Sequence, residues 1–170
     1  MPFTPFHLGP ALFFGLLLFR RISFPTFVVA NVIIDLEPFS VLVLGLDYPL
    51  HGFFHSFLGG GMVAALLALA MMRLDNIVQG FVNPLGLGQS FRSGGFWIAS
   101  FTGIYMHILL DSPLYSDIRP FYPFDVNPFI GVPLGGGLII GSSEVYMFCV
   151  LALLAGVVLY GWKVVKKQGG

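Results

Sequence analysis

The chain predicts an all-α fold: a polytopic bundle of membrane helices with about five transmembrane segments, one of them broken or re-entrant near Pro38. Three observations predict it. Of 170 residues, 56% are hydrophobic and only 9% are charged, where a soluble domain carries roughly 25% charged residues. The mean hydropathy is +0.89. The apolar residues also fall into five runs, with most of the charges gathered between them. A chain of this length is expected to form one integral membrane domain over residues 1–170.

The first run covers about 10–20 and ends at Arg20-Arg21. It is short against the ~20 residues a helical span needs. The start, MPFTPFHLGP, lacks the positively charged region of a signal peptide, so the first run is expected to stay in the mature chain. The second run covers about 24–46 and contains Asp35-Leu36-Glu37-Pro38. Proline removes a backbone donor and crowds the turn before it, so a break near Pro38 is expected. The part after it, Phe39–Leu46, is then a re-entrant or separate short helix that needs protein cover.

The third run (about 49–72) and the fifth (about 144–162) are long enough to span, and the fourth covers about 96–114. Gly59-Gly60-Gly61 lies inside the third and suits close helix contact. Between runs four and five, the loop 112–141 is rich in proline and aromatic residues. It is too apolar for a solvated linker and is expected to cap the helix ends like a lid, with its aromatic groups at the interface. Gly135-Gly136-Gly137 in this loop is not a phosphate loop. The single cysteine, Cys149, excludes an internal disulfide and sits in an apolar run, as a packing residue would.

Charge sets the orientation. If five spans alternate, Arg20, Arg21, Arg73, Arg92, Lys163, Lys166 and Lys167 share one side, and only Arg119 falls on the other. The positive-inside rule then places the N-terminus outside and the C-terminus in the cytoplasm of a multi-pass cell-membrane protein. A net charge of zero argues against nucleic acid as a partner. The expected partners are membrane lipids, other membrane subunits or further copies of the chain.

This topology brings the ionisable residues to one level. At ~1.5 Å per residue, Asp35 lies about 21 Å above Arg21, His107 about 22 Å above Arg92 and His55 about 27 Å above Arg73. His7 begins the first span and His51 begins the third from the same side. Ionisable groups at membrane depth are costly, so they mark a functional site by default. His51 and His55 are four apart, as are His107 and Asp111, which puts each pair on one face of a helix.

Imidazole with carboxylate suits zinc, and also iron(II) or manganese. The six candidate metal ligands are His7, Asp35, His51, His55, His107 and Asp111. They exceed what one tetrahedral ion needs, so they could serve two ions, or one ion with supporting Asp–His hydrogen bonds. Glu37 could be a ligand, a general base or an interfacial carboxylate. Arg119 could take a phosphate or carboxylate, or pair with Asp117 or Asp125. Asn31 and Ser56 have the positions of packing or hydrogen-bonding residues. Haem ligation by two histidines would leave the aspartates without a role. A proton path would be expected to continue through the cytoplasmic half, which shows no polar chain.

At these residues the sequence resembles the family of membrane-bound metal-dependent hydrolases, described as LexA-binding, inner-membrane-associated and YdjM-like. The resemblance covers about residues 1–130. It rests on His7-Leu8-Gly9, Ile34-Asp35-Leu36-Glu37-Pro38, His51-Gly52-Phe53-Phe54-His55-Ser56 and His107-Ile108-Leu109-Leu110-Asp111-Ser112, in the family's order. Two positions depart from the pattern: Ile34 stands where the family has proline, and Gly52 where it has arginine. The helical fold and ligand types are also similar to those of zinc-dependent phospholipase C, which implies lipid phosphoesters.

The resulting expectation is a metal-dependent hydrolase at the outer membrane interface, acting on lipid or lipid-linked esters. A divalent ion, zinc before iron or manganese, is held by the six ligands; Glu37 or Asp117 handles protons, and Arg119 orients an anionic group. Two other readings stand beside it: an accessory subunit of a larger membrane complex, and transport of protons or metal ions.

Overall fold

The computed structural model describes residues 5–131, 133–135, 138–139 and 141–168. The chain is helical: α1 (Leu8–Leu17), α2 (Phe24–Ile33), α3 (Leu36–Leu44), α4 (Phe57–Val82), α5 (Ser93–Asp111) and α6 (Ser142–Gln168). Short 3-10 turns, Pro5–His7 and Phe53–His55, precede α1 and α4. The one sheet among the described residues is a small hairpin, Pro133–Gly135 with Leu138–Ile139, in the loop before α6. Gly136 and Gly137 lie outside the described residues.

By length and apolarity three segments can cross a membrane: Phe24–Leu44, Phe57–Val82 and Ser142–Lys166. Leu8–Leu17 is apolar but has only 10 residues. The 19-residue α5 is about 28 Å long and carries His107 and Asp111 within it. Large apolar side chains point outward along the bundle, among them Leu66 (69% exposed), Val158 (71%) and Phe81 (76%). In water such a surface would drive association; against lipid tails it carries no penalty.

In the bundle, α6 packs on α1, α1 on α2, α2 on α5, and α5 on α4. At Gly9 a Cβ would run into the backbone carbonyl of Cys149, so only glycine lets α1 and α6 touch there. Helices α2 and α5 run side by side in the same direction. Ser23 N–H bonds the Gly95 carbonyl where both begin (3.2 Å), and the His107 ring meets the Asn31 carbonyl near where both end. Between these points Gly103 faces Ala30, and a Cβ on it would lie 2.5 Å from the Ala30 Cβ. This close approach sets the distance from which His107 reaches α2. The α2–α5 seam is not wholly apolar below that level. Ser23, Thr26 and Ser100 are buried there, uncharged hydroxyls among the apolar side chains.

The second run does break, but before the proline. Helix α2 ends at Ile33 and α3 starts at Leu36, so the break falls on Ile34-Asp35. In an unbroken helix the Pro38 nitrogen would donate to the Ile34 carbonyl, and proline has no N–H to give. Glu37 N–H takes that carbonyl instead (3.0 Å), and Asp35 N–H bonds the Val32 carbonyl (3.1 Å). These tighter i to i+3 bonds turn the chain one step early and set Asp35 at the corner.

The third run differs more. His51 and His55 do not share a helical face, because α4 begins only at Phe57. Ser56 caps α4, its side-chain oxygen accepting Gly59 N–H at 3.0 Å, while Phe57 N–H bonds the Pro120 carbonyl (2.8 Å). Ser56→Ala is expected to cost about 1 kcal/mol, the usual worth of such a cap. A thermal melt in detergent checks this, and an unchanged midpoint would show that the cap contributes nothing.

Candidate metal centre

Four elements deliver the ionisable side chains to one end of the bundle. His7 ends the first 3-10 turn, Asp35 sits at the α2–α3 corner, His55 precedes α4, and His107 and Asp111 lie one turn apart on α5. All five residues are 0–2% exposed. Their rings form a row: His7 stacks on His107 (centroids 4.0 Å apart), His107 neighbours His55 (5.6 Å), and His55 neighbours His51 (4.8 Å).

Within this row, Asp35, His55, His107 and Asp111 each present one ligand atom within 4.8 Å of the others, so this group could hold a metal ion. Hydrogen bonds fix which nitrogens face inward. His107 Nδ1 bonds the Asn31 carbonyl at 2.8 Å. A carbonyl only accepts, so Nδ1 carries the hydrogen, and in the neutral ring the Nε2 lone pair is the one left over. Nε2 lies 3.3 Å from Asp111 Oδ2 and 3.6 Å from Asp35 Oδ1, yet it makes no aligned hydrogen bond to either. His55 follows the same plan. Its Nδ1 bonds Glu37 Oε2 at 2.7 Å, and its Nε2 is buried without a hydrogen-bond partner.

Asp35 Oδ2 is buried without a partner too. Buried polar atoms almost always have partners, and the three residues that carry these atoms all belong to the group of four, which suits a bound cation. Charge leads the same way. Two ionised aspartates facing two neutral imidazoles would bury two negative charges, and buried charge is tolerated only when paired or coordinated. His55 lies outside the membrane-crossing helices. Burial pushes its imidazole down to about 4, which keeps it neutral at ordinary pH, the form that binds a metal.

The other expected site residues stand one step away. His7 Nε2 bonds Asp111 Oδ1 at 2.9 Å. Burial, reinforced by the neighbouring His107, lowers the pKa of His7. His51 lies beside His55 but outside the group of four, and its Nδ1 bonds Asp117 at 3.0 Å.

The three residues expected to handle protons or anions have other engagements. Glu37 is committed to His55 Nδ1 and to Phe54 N–H (3.1 Å). Asp117 is committed to the ring and backbone N–H of His51. Arg119 is 56% exposed on its side chain and pairs with Asp125 at 2.9 Å. Two contributors were not read from the sequence at all. The Asn31 backbone carbonyl carries no side-chain signal. Tyr115 packs its ring 4.1 Å from that of His51, and its place in an aromatic-rich loop hid it.

The described part of the loop after α5 packs against this end. Asn127 donates to the Ser112 carbonyl at 2.9 Å, Tyr122 packs edge-on against Phe53, and Phe121 against Phe57.

An all-helical chain with membrane-length apolar helices, holding a buried Asp/His/His/Asp group that could carry a metal ion, defines an integral membrane protein with a candidate metal centre. The family described as YdjM inner membrane protein matches residues 2–169, and the chain belongs to that family. No curated protein and no solved structure matches it.

Proposed function

We propose that the chain is a membrane-embedded metal-dependent hydrolase that cleaves lipid or lipid-linked esters at the outer interface. The observation that carries this reading is the pair of imidazole Nε2 atoms fixed toward two buried carboxylates. Asp35, His55, His107 and Asp111 would hold the ion. A divalent cation held there would supply Lewis-acid polarisation of an ester or phosphoryl oxygen and a lowered pKa for bound water. Zinc suits two imidazoles and two carboxylates best, with iron(II) and manganese as the alternatives.

The remaining polar residues are assigned by their bonds. Glu37 and the Asn31 carbonyl orient the two ligand rings, as partners of ligating histidines generally do. His7 supports Asp111, and Asp117 holds His51 at the edge of the site. The resemblance to membrane-bound metal-dependent hydrolases supports the reaction class, and the apolar surround favours a lipid substrate over a soluble one.

The test is turnover by purified protein in lipid nanodiscs loaded with zinc, manganese or iron(II). Release of phosphate or head group from phospholipid, abolished by chelator and restored by one of the ions, is the expected result. Full metal occupancy with no cleavage of carboxylic or phosphoric lipid esters would overturn the reading.

A further inference from the structure

The end of the bundle opposite the histidines has its own chemistry. There the turn between α1 and α2 and the last turns of α6 border an open groove of about 790 Å³. Arg20, Arg21, Lys163 and Lys166 line it, and no carboxylate is among its described lining residues. The rest of the wall is apolar, from Leu16 and Leu17 on one side to Leu159 and Trp162 on the other.

We propose that this groove binds an anionic phospholipid, its phosphate among the four cations and its acyl chains along α1 and α6. A phosphate is the charge complement of a basic cluster, and beside a low-dielectric wall that attraction is stronger than in open water. Leucines and a tryptophan at the same opening are what separate a lipid site from one for free phosphate, since tryptophan favours the head-group level. Basic pockets between membrane helices bind lipid head groups in this way.

The site is also built before any ligand arrives. Gln89, from the segment between α4 and α5, clamps the arginine turn. Its side-chain amide donates to the carbonyls of Phe19 and Ile22, and its oxygen accepts Phe24 N–H at 2.8 Å. Lys163 lies over the Phe19 ring, Nζ to centroid 2.6 Å, and Lys166 lies 5.3 Å from the ring of Trp162. The cations are thus placed by a third segment and by aromatic faces. The groove is separate from the candidate metal centre, and the proposal stands whether or not that centre is catalytic.

Native mass spectrometry of the detergent-purified chain tests it, with phosphatidylglycerol, phosphatidylcholine and inorganic phosphate as probes. Retention of phosphatidylglycerol over phosphatidylcholine is expected. The double variant Arg20→Gln/Lys163→Gln is expected to bind phosphatidylglycerol about 25-fold more weakly, about fivefold for each cation removed. The variant Arg73→Gln/Arg92→Gln loses the same charge elsewhere and should bind as the parent does. Should the first double variant not fold, Lys166→Gln alone should show the fivefold loss. Equal retention of the two lipids, an equal loss in the Arg73/Arg92 variant, or displacement of the lipid by inorganic phosphate would each overturn the proposal.

Discussion

Replacing His107 by glutamine should remove the divalent ion from the purified protein while leaving its helices intact. His107 supplies the Nε2 that faces both Asp35 and Asp111, so its loss deprives the proposed centre of its middle ligand. Loss of an outer hydrogen-bond partner costs a metal site roughly 10–100-fold in affinity; loss of a ligand should exceed that. The substitution keeps a polar side chain in a fully buried position, so a folded variant can be compared. Two measurements are needed: metal content by mass spectrometry, and the unfolding midpoint with and without chelator. An ion present at 100 times its dissociation constant stabilises a fold by about 2.7 kcal/mol. Chelator should therefore lower the midpoint of the parent protein and leave that of His107→Gln unmoved. Negligible metal in both proteins, with midpoints that chelator does not shift, would mean that the buried charges are balanced by protons alone.

What the sequence revealed about this centre, and what it hid, divides along physical lines. The charge asymmetry and the length of the apolar runs were enough to bring His7, Asp35, His55, His107 and Asp111 to one end, because helix rise is constant. His107 and Asp111 also share a helical face as their spacing predicts, 3.3 Å apart. The same spacing misled at His51 and His55. It carries meaning only inside a helix, and α4 is capped by Ser56 after both have passed. The two rings still come together, through a 3-10 turn. The break near Pro38 was legible because a missing N–H has a local effect. Its location at Asp35 follows from which carbonyl the proline leaves unpaired, four residues earlier.

The division between ion-facing residues and their supports was not legible. Glu37 and Asp35 are both carboxylates on one short segment. Only the direction of each side chain shows that Asp35 faces the two Nε2 atoms while Glu37 holds the far side of His55. The Asn31 carbonyl is silent in any sequence, although Gly103, four residues before His107, marks where α5 comes close enough to meet it. The cationic groove shows the same limit from the other side. Its four basic residues were legible as an orientation signal, but their meeting depends on α1 and α6 running parallel, with Gly9 at the contact.

Substituting Glu37 then separates orientation from catalysis. Glu37→Ala removes the acceptor of His55 Nδ1 and leaves that nitrogen and Phe54 N–H in search of partners. The ring is then free to turn or to change tautomer, and metal affinity should fall by about 10–100-fold. At saturating ion the variant should still bind the full complement, because Glu37 is not itself among the four facing groups. Asp117→Ala is the matched comparison. Asp117 holds His51 as Glu37 holds His55, but His51 lies outside the group, so affinity should stay within about twofold of the parent. Zinc titration of the three proteins checks both statements. Equal losses in the two variants would return His51 to the ligand set and enlarge the centre from four residues to five. A Glu37→Ala protein that binds zinc normally but loses turnover would make Glu37 a proton-handling residue instead. The bond to His55 would then be a resting contact that opens when substrate arrives.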